Sequence, residues 1–357
     1  LKKKAIPLIL TSLLLASCSQ GGQQESEQSS EPAVSDVGPK SMIQNLDVPW
    51  AITKIGDTFY FPERTGSIVE WNSEEGTTSS TLSLTEDIHV QGEGGLLGFE
   101  PAADFAESQE AFLYHTYQTE DNLFNRIVLV KKEGTQWTEQ SVLLDGIPGG
   151  VNHNGGRLKA GPDHKLYVTT GDTYQTELAQ DVESLAGKIL RLELNGDVPD
   201  DNPFGSSYVY SYGHRNPQGL AWDEDGNLYS SEHGQTAHDE INLIQPGKNY
   251  GWPEIEGDET QEGMESPIFH TGNDTWAPSG LAYHEGKLYV ATLAGTSLKS
   301  YEIETGETED LVNHLGRLRD VLIEENVLYT ISNNRDGRGN PGENDDQLYR
   351  LELKRED

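Results

Sequence analysis

Apolar residues along this chain come in short bursts separated by turns rich in Gly, Asp, Asn and Pro. Six bursts share one form, an apolar residue followed by tyrosine. They are Thr58-Phe59-Tyr60-Phe61, Phe112-Leu113-Tyr114, Lys165-Leu166-Tyr167-Val168, Asn227-Leu228-Tyr229, Lys287-Leu288-Tyr289-Val290 and Val327-Leu328-Tyr329. Several follow a hairpin signal such as Asp225-Gly226 or Glu285-Gly286. The six tyrosines recur at intervals of 40 to 62 residues. Recurrence at roughly 40–50 residues marks propeller blades, small sheets that cannot bury their faces alone. Six copies therefore predict an all-β chain folded as a six-bladed β-propeller. Helical periodicity is scarce, with one short helix expected over 178–185. A propeller gathers loops from every blade at one mouth, so residues distant in sequence can share a site.

The first forty residues lie outside that repeat. Lys2, Lys3 and Lys4 precede an apolar run from Ile6 to Leu15. The run is too short to span a bilayer and has the length of a signal-peptide core. It ends in Leu15-Ala16-Ser17-Cys18, which resembles the bacterial lipobox, where the cysteine becomes the lipid-modified N-terminus. Cys18 is the sole cysteine, so no intrachain disulfide can form. The pattern predicts a signal peptide over 1–18, a flexible polar tether over 19–40, and a single large domain over 41–357. It also predicts an extracytoplasmic protein held to a membrane only through its lipid.

The 25 basic and 60 acidic side chains give a formal net charge of −35. Such a surface repels nucleic acid and anionic lipid, which excludes both as partners. An anionic ligand would need local positive charge, so the arginines stand out. Gly213-His214-Arg215-Asn216-Pro217-Gln218-Gly219 sets an arginine beside an amide between glycines. Arg317 and Arg319 stand two residues apart, a spacing that on a strand projects both from one face, and a planar guanidinium binds carboxylates bidentately. A surface salt bridge such as Arg319–Asp320 is the plainer alternative.

Two further segments carry candidate chemistry. Val151-Asn152-His153-Asn154-Gly155-Gly156 places a histidine in a Gly/Asn loop, where it can exchange protons near neutral pH. Asp172 lies at the far end of the same predicted hairpin and can reach back to orient His153. The stretch 231–242 holds Asp239 and Glu240 beside a Gly-rich turn, a possible calcium site, whereas a zinc site at His233 and His238 lacks its usual frame. The 336–346 loop reads as a solvated connection.

Together these segments resemble the soluble glucose/sorbosone dehydrogenases, and within them the aldose sugar dehydrogenases. The resemblance also rests on Pro49-Trp50-Ala51-Ile52, Glu63-Arg64-Thr65-Gly66, Gly92-Glu93-Gly94-Gly95-Leu96-Leu97-Gly98-Phe99 and Asn249-Tyr250-Gly251-Trp252-Pro253. It implies a six-bladed propeller using pyrroloquinoline quinone (PQQ) and Ca2+ to oxidise a sugar, with electrons leaving to an external acceptor. The implied roles are His153 as general base, Asp172 as its orienting carboxylate, Arg215 and Asn216 on the quinone, and Arg317 and Arg319 on its carboxylates. Backbone carbonyls of Gly234 and Gln235 are implied for one calcium, and Glu240 with the Tyr250 carbonyl for a second. Two positions depart from the family. Ala294 falls where a lysine is expected, and Glu93 replaces a glutamine that contacts the cofactor, so repulsion of an anionic ligand is expected there. A calcium-dependent lactonase and a non-catalytic surface propeller that binds a glycan or a protein remain the alternatives.

Overall fold

The computed structural model describes residues 38–353. The signal peptide with Cys18 and nearly all of the tether lie outside the described residues. Lys40 does not, and it opens a strand, Lys40–Ile43, one residue ahead of the expected domain start.

The described chain is all-β, built of six four-stranded antiparallel meanders. Five occupy residues 53–83, 96–148, 158–212, 217–270 and 278–312. The sixth takes three strands from 318–352, and Lys40–Ile43 pairs with Leu348–Glu352 to supply its fourth. The first two meanders join into one eight-stranded sheet because 81–83 runs parallel to 136–138. Expected helix 178–185 is instead a single 3-10 turn, Thr176–Ala179, followed by irregular chain. Among the described residues no helix is long and apolar enough to cross a membrane.

Every apolar–tyrosine phrase falls on the second strand of its meander, and packing explains its form. Adjacent strand residues point to opposite faces. The tyrosine packs into the core shared with the next meander, and the residue before it into the core shared with the previous one. Thus Tyr114 joins Leu158, Leu166 and Leu190, whereas Leu113 joins Tyr60, Ile68 and Trp137. Tyr229 and Leu228 divide in the same way. The series closes on itself, because Tyr329 and Ile331 of the sixth meander pack with Phe59, Phe61 and Val69 of the first. Each such side chain contributes on the order of 1.5–3 kcal/mol by leaving water. With both faces covered, the strands Leu166–Thr170 and Leu228–Glu232 are buried along their whole length.

This topology also aims the loops. In an antiparallel meander the chain enters strand one and leaves strand two at the same end. Connections between meanders and turns between second and third strands therefore share one face. Glu93, His153, Arg215 and Arg317 lie on the former; Arg64, Asp172, His233, Ala294 and Arg338 lie on the latter.

Candidate active site

His153 is buried and sits at φ 58°, a left-handed conformation that a non-glycine residue adopts only when its surroundings enforce it. The enforcing contacts are identifiable. Its backbone N–H donates to Glu93 Oε2 at 2.9 Å, and its Nδ1 lies 2.7 Å from Asp172 Oδ1. Gly171 allows the close approach, since a Cβ there would stand 1.9 Å from the His153 carbonyl oxygen. Asp172 is wholly buried. Its Oδ1 also accepts the Tyr174 N–H at 2.9 Å, and its Oδ2 accepts the Trp252 indole N–H at 2.8 Å. Burial alone raises its pKa, but the donors from His153, Tyr174 and Trp252 outweigh it and hold the carboxyl below its usual range. An ionised Asp172 holds a proton on Nδ1 of His153 and leaves Nε2 as the free base. The hairpin expectation thus holds: the two residues flank paired strands 158–160 and 166–170.

Arg215 and Asn216 meet this dyad. Asp172 N–H donates to the Arg215 carbonyl at 2.8 Å, and Gly155 N–H to Asn216 Oδ1 at 3.1 Å. Buried Glu232 holds the segment from beneath by accepting the backbone N–H groups of Arg215 and Asn216 and Nδ1 of His214. The Arg215 guanidinium lies 5.3 Å from the Trp252 ring and donates Nη1 to the His233 carbonyl at 3.3 Å. Three buried polar atoms here have no partner among the described residues: Arg215 Nε, Asn216 Nδ2 and His233 Nε2. Unmet buried donors are costly, so their clustering marks a place for a polar ligand.

Arg317 and Arg319 do not act as the matched pair that their spacing predicts. Arg317 precedes the strand Leu318–Glu324 and is committed to Asp336, with Nε and Nη2 at 3.0 and 2.7 Å from Oδ2. Arg319 is buried, and its partners among the described residues are neutral: Gln218 Oε1 at 2.8 Å, Asn333 Oδ1 at 3.2 Å and Ser279 Oγ at 3.4 Å. Burial pushes its pKa down to about 9. The Arg319–Asp320 alternative is excluded, because Asp320 Oδ2 accepts Arg157 Nη1 and the Ile52 N–H, each at 2.8 Å. Asp336 and Glu93 act on Arg319 only through space, so no carboxylate bonds this buried cation directly and an anion placed beside it would gain from its charge.

Glu93 differs from expectation in its surroundings. Burial favours its neutral form, but His233, Arg338 and the His153 N–H outweigh that and hold its pKa down at about 2. It is an anion, and Arg338 Nη1 binds its Oε1 at 2.6 Å. The 336–346 loop is therefore no mere solvated connection: Asp336 anchors Arg317, and Arg338 reaches Glu93. Sequence reasoning missed both, together with Trp252 as the third donor to Asp172 and Tyr174, whose exposed ring packs 4.1 Å from the His153 ring. Two chain signals were available, the single exposed aromatic after Gly171-Asp172 and the arginines spaced around Asp336.

At the calcium segments, Asp239 is occupied by the fold, accepting N–H groups of Gly234, Trp276 and Ala277 at 2.9, 2.6 and 2.8 Å. Glu240 faces a small cavity also lined by Glu232, Gly234, Tyr250 and Glu256. Burial first, then repulsion from Glu232 and Glu256, raises its pKa to about 8, and Glu256 Oε2 is buried with no partner among the described residues. Among the described residues no three carboxylate, histidine or cysteine side chains group closely enough to hold a metal ion, so a cation here would depend on backbone carbonyls beside Glu240. The Trp222 ring packs against Tyr167 and Trp276 against Phe269, both as structural residues.

A family model described as Glucose / Sorbosone dehydrogenase matches residues 46–350. Aldose sugar dehydrogenase YliI of Escherichia coli K12 is 31% identical over 345 residues, covering 85% of this chain and 92% of that protein. Quinoprotein glucose dehydrogenase B of Acinetobacter calcoaceticus is 36% identical over 251 residues, 61% of this chain but only 52% of its own length. The PQQ-bound aldose sugar dehydrogenase of Streptomyces coelicolor superposes with a TM-score of 0.82 at 37% identity, covering 88% of this chain and 96% of that one.

Proposed function

Because the chain belongs to the glucose/sorbosone dehydrogenase family, we propose that it is a PQQ-dependent dehydrogenase oxidising an aldose at the anomeric carbon to the lactone. One observation carries this: a base–carboxylate dyad borders buried guanidinium and amide donors that lack partners. A hydrolase has no use for such a set, whereas a polyanionic cofactor satisfies it. Arg215, Asn216 and Arg319 would hold PQQ, with Arg317 beside them. Bound PQQ supplies the acceptor for the anomeric hydride. His153 Nε2 takes the proton of the anomeric hydroxyl, and Asp172 keeps Nδ1 protonated and stabilises the imidazolium. Arg215, with its Nε unpartnered, would offer positive charge and a donor toward the bound cofactor. The buried walls around Asp172 and Trp252 keep water from the dyad.

Calcium is the second proposed ion. Carbonyls of Gly234 and Gln235 would hold one beside the cofactor, and Glu240 with the Tyr250 carbonyl another. The six meanders, each sharing a core with the next, support a six-bladed propeller with the site at its hub. The Lys2–Lys4, Ile6–Leu15 and Cys18 pattern supports a lipid-anchored extracytoplasmic enzyme passing electrons to an external acceptor. The test is reconstitution with PQQ and calcium followed by dye reduction on a panel of aldoses. His153→Ala should abolish turnover while PQQ stays bound; full activity in that variant removes the base. Lactone hydrolysis without quinone would point to the lactonase class instead.

A further inference from the structure

Arg338 is a half-exposed side chain on the turn between the second and third strands of the last meander, yet both guanidinium ends are engaged across the site. Its Nη1 donates to Glu93 Oε1 at 2.6 Å and its Nη2 to Asn152 Oδ1 at 2.8 Å. The other Glu93 oxygen accepts the N–H of His153. One guanidinium therefore ties Glu93 and Asn152 together on either side of a backbone that must stay left-handed at His153. The turn presenting it is itself fixed, because the Arg338 N–H donates to Asp336 Oδ1 at 2.9 Å while Asp336 Oδ2 holds Arg317. Arg338 also lines a groove of about 250 Å3 with Ala294 and Arg317, so its charge stands beside the position where the expected lysine is missing.

We propose that Arg338 and Glu93 form one positioning unit. The arginine cancels an anion that would otherwise repel a polyanionic cofactor, and it clamps the Asn152–His153 turn that presents the base. The cofactor half rests on the dehydrogenase function above; the clamp half does not. Glu93 alone is a liability, and Arg338 alone is a surplus cation. Their effects must therefore be interdependent, with the sign of the Glu93 contribution set by whether Arg338 is present.

The test compares full-length wild type with Arg338→Gln, Glu93→Gln, the double variant and Arg338→Lys. PQQ affinity is measured by calorimetry, and solvent exchange of the His153 backbone N–H is measured by NMR without cofactor. Arg338→Gln should weaken PQQ binding about 10–100-fold, the factor carried by a charge-assisted bond. The double variant should bind more tightly than Arg338→Gln, and Arg338→Lys should recover most of the affinity by restoring the charge. In cofactor-free protein, Arg338→Gln should speed solvent exchange of the His153 backbone N–H, since Glu93, which accepts it, and Asn152 are no longer held together, and the double variant should not slow it again. Wild-type affinity in Arg338→Gln, or the same loss whether residue 93 is Glu or Gln, overturns the cofactor half. An unchanged His153 N–H exchange rate in Arg338→Gln overturns the clamp half. Should wild type bind no PQQ, the dehydrogenase function fails and the NMR comparison still decides the clamp.

Discussion

Replacing Asp172 with asparagine removes one charge and keeps the shape, yet the surroundings of this carboxylate leave an amide no satisfactory orientation. Every neighbour is a donor: His153 Nδ1 and the Tyr174 N–H on Oδ1, the Trp252 indole N–H on Oδ2. With its NH2 at the Oδ2 position, the new amide would face the indole donor to donor. With its NH2 at Oδ1, it would oppose the Tyr174 amide and force the His153 proton onto Nε2, which abolishes the base. Each lost charge-assisted bond is worth about 1.5–3 kcal/mol, and the residue is fully buried, so water cannot step in. Asp172→Asn should therefore unfold at a lower temperature and lose about 10²–10⁴-fold in kcat, the range that general-base assistance supplies. Trp252→Phe on top of it removes the opposing indole donor and lets the amide oxygen face His153. The double variant should then be more stable than Asp172→Asn and regain about tenfold in kcat, the factor set by about 1.4 kcal/mol. Dye-linked turnover on PQQ-loaded protein and thermal unfolding read both effects. Turnover in Asp172→Asn within tenfold of wild type, or losses that simply add in the double variant, would refute the reasoning.

Arg319→Met removes a buried cation but orphans the oxygens of Gln218 and Asn333, so stability should change by less than about 2 kcal/mol in denaturant unfolding. PQQ affinity should meanwhile fall at least about 100-fold by calorimetry, since a buried charge partner is lost; unchanged affinity would remove Arg319 from the site. Tyr174→Ala should raise the sugar KM by about 2–10-fold with kcat nearly intact, the factor carried by an aromatic contact of about 0.5–1.5 kcal/mol. Glu240 has a pKa raised to about 8. The fold favours its protonated form, so that stability is complete below the ordinary carboxylate range and is lost as pH rises through about 8. Without calcium the unfolding temperature should fall from pH 6 to pH 9, Glu240→Gln should lessen the fall, and calcium at pH 8.5 should reverse it. Calcium that leaves the unfolding temperature unmoved at pH 8.5 would count against a site at Glu240.

The repeat was legible because its cause is local. An apolar residue before a tyrosine on a strand buried on both faces sends one side chain to each neighbouring core, and the pattern survives variation elsewhere. Helix 178–185 was misread for the matching reason: its apolar spacing serves a loop, in which Leu185 packs against the second and third meanders and its carbonyl accepts the Thr170 hydroxyl. His153 and Asp172 were legible since both flank one hairpin, whose register brings its ends together. Trp252 was not, because it comes from the long connection 245–268, which returns to the site by pairing Asn249 beside Tyr212.

Glu93 marks where segment-by-segment reading fails for a physical reason. Taken alone it is an anion set against an anionic ligand, and with Ala294 it lowers the positive complement of the site. Arg338, 245 positions further along, restores that complement only once the last meander packs on the first and brings their loops to one hub. Hairpin partners are fixed by register over a few residues, whereas charge partners across a hub are fixed by closure of the whole ring. An unfavourable charge can therefore be answered from any meander. The balance that decides ligand binding is therefore drawn from several meanders: Arg319, for one, lies in the field of Arg64 and Arg317 as well as of Asp336 and Glu93. Pairing with Arg338 takes Glu93 out of that balance, so the departure at position 93 costs the site less than the residue alone implies.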